Sequence, residues 1–338
     1  MTAEPSSPNP VAVRPKLAVR TLLGRADDLR AELALEIILP PGLVPSGAEV
    51  AVEAALSGPE SVRATTLPVR LPVRFSVRPE TSAGVALTGR VVLTEPAYWT
   101  AELPMRYRLD GRLLVDGRQL AEFAEPIGLR RLGVRGHSLW LDGHRWVPRG
   151  VACGRADADL ADRLAAVCGT AVAIIDLPAT ATADGCQRFW DCLTQADRLG
   201  QPLILRLLAG SPVATADGIA RLAQHPAVIA VSVPAEAVEV AALWKRAAGT
   251  MLLAAELPGD QPPPATLPSV DLLMVRLAAT ALPAAAWRKP VPLPVVAWQS
   301  AAEPTRAGCD RLQAALAGWR LAGDRPPADW DWAGFFIG

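Results

Sequence analysis

After Gly150 the sequence alternates short apolar segments with segments rich in alanine and leucine, and this alternation constrains the fold more than any other feature. Such a rhythm is typical of βα units built around a parallel sheet. Eight apolar segments can be assigned as strands, which is the number that closes a (β/α)8 barrel. The expected strands are Trp146 to Ala152, Ala171 to Asp176, Pro202 to Leu207, Val228 to Val233, Met251 to Glu256, Leu272 to Leu277, Leu293 to Trp298 and Ala333 to Ile337.

The spacing between these strands predicts a compact barrel with an incomplete outer layer. Pro-rich connectors such as Gln261 to Ser269 separate strands five, six and seven, so the helices there are expected to be short or missing. A barrel of about 200 residues is at the lower size limit for this fold. Helices are expected at Asp157 to Cys168, Cys186 to Leu199, Asp217 to Gln224, Ala237 to Ala248 and Thr305 to Trp319.

Residues 11–135 follow a different pattern, with short alternating or β-branched apolar runs and almost no helical periodicity. Turn residues separate the runs, among them Pro-Gly at 41/42 and Asp-Gly at 110/111 and 116/117. This pattern predicts an all-β, immunoglobulin-like antiparallel sandwich of about seven strands. The barrel is then expected at 136–338, and the polar, Pro-rich residues 1–10 are expected to form an arm that is disordered or bound to a partner.

Bulk composition narrows the functional classes. Lys plus Arg and Asp plus Glu balance at 34 each, which gives no support for a nucleic-acid partner or an anionic membrane surface. The first residues carry no basic and apolar leader, and no apolar run reaches the roughly 18 residues of a spanning helix. We therefore expect a cytoplasmic protein with no direct membrane span.

Metal and cofactor chemistry find little support in the sequence. The five cysteines form no C-x-x-C pair, and the three histidines have no metal-ligand spacing. There is no Walker loop, no G-x-G-x-x-G after a strand and no G-x-S-x-G elbow. We therefore expect neither a metal nor a cofactor.

Two stretches of sequence carry a more specific signal. At the domain junction a Trp precedes a Pro and Tyr strand, the Gly-x-Arg segment Ile127-Gly128-Leu129-Arg130 and the turn Leu141-Asp142-Gly143-His144. At the fourth barrel strand, residues 225–237 read HPAVIAVSVPAEA. In this order the features resemble the family 2 glycoside hydrolases, which include β-galactosidases, β-glucuronidases and β-mannosidases.

The resemblance implies a sandwich followed by a barrel, and it assigns the family's general acid/base to Glu236. The Asn that precedes this Glu in the family is Ala235 here. The family's nucleophile follows strand seven, where this chain offers Ala297, Trp298 and Gln299. Because retaining hydrolysis needs two carboxylates about 5 to 5.5 Å apart, the chain resembles a degenerate relative that lacks the strand-seven nucleophile.

Relocated chemistry is a competing interpretation. Asp176, Glu236 and Glu256 all fall near predicted strand ends, where the catalytic groups of a barrel lie. Glu236 and Glu256, from adjacent strands, are the pair that could face one another. The simpler interpretation is that these carboxylates are solvated or paired with Arg206 and Arg276, which also fall at strand ends.

Ten tryptophans are many for this length, and eight of them lie from Trp146 onward. Trp298, Trp330 and Trp332 are expected near the barrel mouth, where indole rings can stack on sugars or anchor a protein partner. The side chains predicted to contact a ligand or partner are Trp298, Gln299, Trp330, Trp332, Arg206 and Arg276.

The missing strand-seven Glu favours a non-catalytic structural or interaction protein, a pseudo-glycosidase that docks as an accessory subunit on a larger protein assembly, either soluble or associated with a membrane. The alternative is a carbohydrate-active protein, a weak hydrolase or a sugar binder that uses Glu236. An open mouth would favour the sugar, and a mouth filled by side chains would favour docking.

Overall fold

The structure of the protein is a computed structural model. It describes residues 17, 19–45, 47–81, 84–157, 159–177, 183–233, 239, 241–267, 269–322 and 330–338. The arm expected at residues 1–10 lies outside these ranges.

The first domain is an antiparallel β-sandwich, as predicted. Its strands are β1 (Val19–Ala26), β2 (Arg30–Leu39), β3 (Val50–Glu60), β4 (Val69–Thr81), β5 (Gly84–Thr94), β6 (Arg106–Val115) and β7 (Arg118–Ile127). They pair in the order β1-β2-β5-β4-β3-β6-β7. Every second residue of β2 is buried, so one face of that strand lies on the core. Leu35, Leu56, Leu87, Leu109 and Phe123, from five strands, belong to this one core.

The two Asp-Gly pairs predicted as turns in this domain have different roles. Asp116-Gly117 joins β6 to β7 with φ angles of 48° and 75°, so that hairpin turn is confirmed. The turn predicted at Asp110-Gly111 is wrong, because both residues lie inside β6. A Cβ at Gly111 would lie 2.2 Å from the Phe123 ring. Glycine is needed there to make room for the ring in the core, not to turn the chain.

A three-stranded sheet of β8 (Leu132–Arg135), β9 (Ser138–Leu141) and β10 (His144–Trp146) follows the sandwich. Asp142-Gly143 joins β9 to β10 with φ angles of 48° and 80°, as expected for a type I′ turn. Leu132, Leu139 and Leu141 belong to the same hydrophobic cluster as the barrel interior. The small sheet therefore covers the end of the barrel at which the strands begin.

All eight predicted barrel strands are present, and they close into a parallel barrel. They are β11 (Arg149–Arg155), β12 (Val172–Leu177), β13 (Leu203–Leu207), β14 (Val228–Val233), β15 (Leu252–Pro258), β16 (Leu272–Leu277), β17 (Val295–Gln299) and β18 (Gly334–Ile337). The first strand starts at Arg149 rather than Trp146, because residues up to Trp146 pair within the small sheet.

The outer layer of the barrel is thin on one side. Its helices are α1 (Leu160–Val167), α2 (Ala183–Leu199), α3 (Ala216–Leu222), α4 (Ala241–Ala248) and α5 (Arg306–Leu321). Within the described residues no α-helix follows β15 or β16, and a 3-10 turn, Ala285–Arg288, stands in this region. Trp287 in that turn is fully buried, and its Nε1 donates to the carbonyl of Gln261 at 2.7 Å. One indole therefore ties the two connectors together where helices are missing.

Alternation along the barrel strands defines which side chains point inward. Ile174, Ile204, Ala230, Met274 and Val296 belong to the interior cluster. Because successive side chains of a strand point to opposite faces, the residue two positions after each of these also points into the barrel. Those residues lie at the end where the strands finish, which is where this fold places its active sites.

The two domains meet at the other end of the barrel. Arg130, only 2% exposed, donates from Nη1 to the carbonyl oxygens of Pro226 and Val228, the latter at 2.6 Å. Burial lowers the pKa of Arg130 to about 10. Trp99 of the sandwich donates from Nε1 to the carbonyl of Asp197 at 2.8 Å. Buried donors of one domain thus satisfy backbone carbonyls of the other.

Close packing accompanies these hydrogen bonds. A Cβ at Gly128 would lie 2.2 Å from Cγ of Pro226. Any residue larger than glycine at this position would therefore clash with the barrel. The Asp197 carboxylate accepts from the backbone N–H of Ala227 at 2.9 Å and lies 2.7 Å from Nδ1 of His225. We call the contact formed by Trp99, Gly128, Arg130, Asp197 and Pro226 the domain joint.

Candidate functional site

The barrel mouth is the candidate site, and among the described residues the strand ends that point into it are mostly polar. Each inward position follows an apolar interior residue by two, so sequence alternation alone sets the direction of these side chains. The inner mouth comprises Asp176 of β12, Arg206 of β13, Ser232 of β14, Glu256 of β15, Arg276 of β16 and Trp298 of β17.

Glu256 is the most heavily bonded group of the inner mouth. Arg206 donates from Nε to its Oε1 at 2.7 Å and from Nη2 to its Oε2 at 3.0 Å. The Ser232 hydroxyl donates to Oε1 at 2.8 Å, and Nη1 of Arg276 donates to Oε2 at 3.2 Å. Bidentate guanidinium–carboxylate pairs are among the strongest and most directional contacts in proteins. The carboxylate is therefore fixed in place by four hydrogen bonds.

The same guanidinium holds the second carboxylate. Nη1 of Arg206 donates to Oδ1 of Asp176 at 2.7 Å, so one arginine bridges Asp176 and Glu256. The side chain of Arg206 is 14% exposed, against 28% for Asp176 and 21% for Glu256. Of the two sequence interpretations of these carboxylates, pairing with Arg206 and Arg276 is the arrangement found.

The ion pairs also set the protonation states. Burial acts to raise the pKa of Glu256, but the hydrogen bonds and charge of Arg206, together with Ser232 and Arg276, outweigh it and hold that pKa below its usual value. Burial alone would lower the pKa of Arg206, yet Glu256 and Asp176 raise it. A general acid in glycoside hydrolysis requires a raised pKa. Glu256 is shifted in the opposite direction.

Trp298 occupies the inner mouth as packing rather than as an open platform. The residue is 3% exposed, and the guanidinium carbons of Arg206 and Arg276 lie 4.5 and 5.1 Å from its ring centroid. Such cation–π contacts stabilise the ring and occupy the surface on which a sugar would stack. Next to it, Gln299 donates from Nε2 to the carbonyl of Ala281 at 3.3 Å.

Trp330 and Trp332 lie away from the barrel mouth, and the expectation that they lie near it is wrong. Both precede β18, and the backbone N–H of Ala333 donates to the carbonyl of Val295, where β17 begins. Parallel strands start together, so these two rings lie at the end of the barrel opposite the mouth. They are 1% and 2% exposed and belong to the core cluster between the barrel and its helices.

Glu236, to which the resemblance assigns the acid/base role, lies outside the described residues. The structure therefore brings together Asp176, Arg206, Glu256, Arg276 and Trp298, and does not place Glu236 relative to them.

Sequence reasoning missed Ser232, which is 1% exposed and donates to Glu256. The available signal was its position, since it is the one polar residue in the six-residue strand Val228–Val233. A lone hydroxyl in a buried strand requires a hydrogen-bond partner. That requirement could have directed attention to the neighbouring strand end, where Glu256 lies.

The described residues hold neither a metal-type cluster nor a membrane-spanning helix. No cluster of three or more His, Cys, Asp or Glu side chains suited to a metal ion occurs among them. Within the same ranges, no helix combines the length and apolar character needed to cross a bilayer.

Comparison with known proteins gives matches at the level of structure only. No family model matches the sequence, and no curated protein matches it either. A glycosyl hydrolase family 2 member from Bacteroides cellulosilyticus superposes with a TM-score of 0.59 at 15% identity, covering 95% of this chain and 44% of that one. The Parabacteroides merdae β-glucuronidase gives 0.52 at 14% identity, covering 83% and 39%.

The Bifidobacterium dentium β-glucuronidase, solved with coumarin-3-O-glucuronide, gives a TM-score of 0.59 at 12% identity, covering 95% of this chain and 60% of that one. The chain thus spans less than two thirds of each of these enzymes. At such low identity the similarity establishes architecture rather than activity. Over nearly its whole length, the chain has the sandwich-plus-barrel fold found in family 2 glycoside hydrolases.

Proposed function

We propose that this chain is a pseudo-glycosidase, a non-catalytic structural or interaction protein whose sandwich and barrel form a rigid body. In this role it acts as an accessory or stabilising subunit that docks on a larger protein assembly. The observation that carries the proposal is the ion-pair network of the inner mouth, where Arg206 bridges both inward-facing carboxylates of the described strand ends.

Among the described residues, the mouth does not present the pair of carboxyl groups that retaining hydrolysis uses. That chemistry needs one protonated carboxyl group and one free carboxylate on either side of the sugar. Here the guanidinium of Arg206 lies between Asp176 and Glu256. The strand-seven stretch offers Ala297, Trp298 and Gln299, none of which is a carboxylate. Freeing Glu256 for catalysis would require breaking a bidentate ion pair in a partly buried site, which is costly.

The places where the sequence resembles the enzymes also favour a scaffold. Three of these features, Trp99, the Gly128 to Arg130 segment and the His225-Pro226 pair, meet at the domain joint. None of them lies at the mouth. The features of the resemblance that the structure describes therefore include the connection between the domains, which a rigid docking body needs.

The competing function is a carbohydrate-active protein that uses Glu236. It is favoured by the sequence position of that residue, soon after β14 (Val228–Val233), because the catalytic groups of this fold follow the carboxyl ends of strands. Under this alternative, Glu236 would act with a second carboxylate other than the paired Asp176 and Glu256.

The test compares purified wild-type protein with Glu236→Gln and with Glu239→Gln as the matched control, since Glu239 is exposed and close by in sequence. Each is assayed against aryl β-glucuronides, β-galactosides and β-mannosides. In parallel, the tagged chain is isolated gently from its own cells, and the stoichiometry of the proteins that accompany it is measured.

We expect no glycoside turnover above the uncatalysed rate in any of the three proteins, and one partner chain at fixed stoichiometry. Turnover in the wild type and in Glu239→Gln, lost in Glu236→Gln, would replace the proposal with the hydrolase. A chain that is isolated alone, whatever its activity, would remove the accessory-subunit role.

A further inference from the structure

A cleft of about 720 Å³ opens on the outer face of the sandwich, over strands β3, β4, β6 and β7. In β4, Leu71 and Val73 pack in the hydrophobic core, so the alternating residues Arg70, Pro72 and Arg74 lie on the opposite, solvent-facing side. Small residues form part of the lining, which also carries five charged side chains, namely Glu53, Arg70, Asp110, Arg112 and Glu122. The cleft is therefore a charged recess on the face turned away from the core.

Four of these five charged side chains are already bonded within the sheet. Arg112 donates from Nε to Oε2 of Glu53 at 2.7 Å, and Arg108 donates from Nε to Oδ1 of Asp110, also at 2.7 Å. Glu122 accepts a side-chain hydrogen bond at 3.4 Å. The carboxylates of the cleft therefore have partners in the sheet and leave no acid free for a further cation.

Arg70 is the fifth charged side chain, and the described residues give it neither an ion pair nor a hydrogen bond. It is exposed, and the residue directly opposite it on β3 is the uncharged Ser57. A guanidinium presents a rigid fork of N–H donors that matches a carboxylate in a bidentate pair. The cleft therefore holds one accessible cation whose donors are free for a carboxylate from outside the chain.

Arg74, one turn of the strand pleat further along the same face, stands in a similar position. Its neighbours directly opposite are Glu53 on β3 and Arg90 on β5. Glu53 is bonded to Arg112, and Arg90 pairs with Glu32 at 2.5 Å. Like charges directly opposite one another on neighbouring strands repel. A carboxylate brought to Arg74 by another molecule would offset that repulsion.

We propose that this cleft is the surface through which the chain docks, and that the partner protein inserts an Asp or Glu side chain whose carboxylate pairs with Arg70, with Arg74 as a second contact. Arginine is enriched among the residues that dominate the energy of protein interfaces. A nucleic acid fits less well, because a row of phosphates would also meet the carboxylates of Glu53, Asp110 and Glu122. The inference rests on the docking role proposed above.

The test isolates the tagged full chain from its own cells and measures how much partner accompanies the wild type, Arg70→Glu and Arg311→Glu. Arg311 is the matched control, because it is an exposed arginine on α5 that the described residues also leave without a partner. In a second sample, the photoreactive residue p-benzoylphenylalanine replaces Gln119, an exposed residue of the cleft lining. Illumination cross-links the occupant of the cleft, and mass spectrometry identifies the cross-linked segment.

We expect the wild type and Arg311→Glu to retain the partner equally, and Arg70→Glu to retain less than about a tenth as much, because the reversed charge repels the inserted carboxylate. The cross-linked segment should contain an Asp or Glu, and changing that residue to Arg should restore the binding of Arg70→Glu.

Equal retention by Arg70→Glu and Arg311→Glu would overturn the cleft as the docking surface and leave the docking role standing. A wild-type chain that is isolated without a partner would remove the docking role and this inference together. A cross-link to nucleic acid or to a second copy of this chain would overturn the acidic protein partner.

Discussion

Substituting Gly128 by alanine tests whether the domain joint is a close-packed contact or a loose hinge. The new Cβ would lie 2.2 Å from Cγ and 2.7 Å from Cβ of Pro226, a rigid ring that cannot rotate away. The two segments must therefore move apart by about 1 Å to restore ordinary contact, and overpacking of this kind typically costs about 1 to 3 kcal/mol. The displacement also stretches the hydrogen bonds of Arg130, since both contacts involve Pro226.

Gly133→Ala is the matched control, because a Cβ at Gly133 would meet nothing within 4 Å and its φ is not positive. Replacing an unstrained glycine stabilises a protein by about 0.4 to 1 kcal/mol through the unfolded chain. Differential scanning calorimetry should therefore show the melting temperature of Gly128→Ala lowered by roughly 2 to 10 °C and that of Gly133→Ala unchanged or raised. If the two variants melt together, the joint yields without cost, and the rigid-body argument fails.

Three further predictions concern other parts of the molecule. The pKa of Glu256 is lower in the folded protein than the unfolded value of roughly 4.3, so its ion pairs stabilise the fold above that pH, and this stability is lost as the pH falls through the folded pKa. In urea unfolding between pH 7 and 3, the free energy of unfolding of Glu256→Gln should therefore fall less with acid than that of the wild type. An equal fall in both proteins would mean that the ion pairs do not form. Burial raises the pKa of both tyrosines, Tyr107 and Tyr98, the latter to about 12. Absorbance at 295 nm should therefore show no ionisation step near pH 10. The stability that the protonated phenols contribute should be lost as the pH rises from about 10 through the folded-state pKa values. Gly111→Ala should lower the free energy of unfolding by about 1 to 3 kcal/mol by forcing the Phe123 ring aside. A neutral result in urea titrations would show that the ring moves aside without cost.

Much of the fold could be predicted because hydrophobic periodicity reports burial directly. The βα rhythm after Gly150 located all eight barrel strands, and the Pro-rich connectors located the gap in the outer layer. The first residue of a strand is harder to predict than the strand itself. Trp146 looks like part of the first barrel strand because it is apolar and continuous with it, and only its pairing with Leu139 in the small sheet assigns it elsewhere.

The site was less predictable because it depends on distances between strands that a single sequence does not encode. Pairing of Glu256 with Arg206 and Arg276 could be expected only as one alternative, and the bridge from Arg206 to Asp176 depends on which strands are neighbours. The prediction for Trp330 is wrong because it rests on nearness in sequence to the last strand. Trp330 precedes that strand and so lies where the strands begin, not at the mouth where they end. The turn predicted at Asp110-Gly111 is wrong for a related reason. In a single sequence, a glycine that leaves space for an aromatic ring cannot be distinguished from a glycine that forms a turn.

The thin side of the barrel has a consequence for how the molecule opens. Helices α1 and α2 pack over β12 and β13 with many side chains. Beside β16, the packing includes a single 3-10 turn, which the buried indole of Trp287 holds in place. Local opening follows the least redundant packing. Amide hydrogens of β16 should therefore exchange with deuterated solvent through a smaller opening free energy than those of β13, although each strand is buried at every residue but one. Although its strands form one closed ring of hydrogen bonds, the barrel would begin to unfold locally at β16.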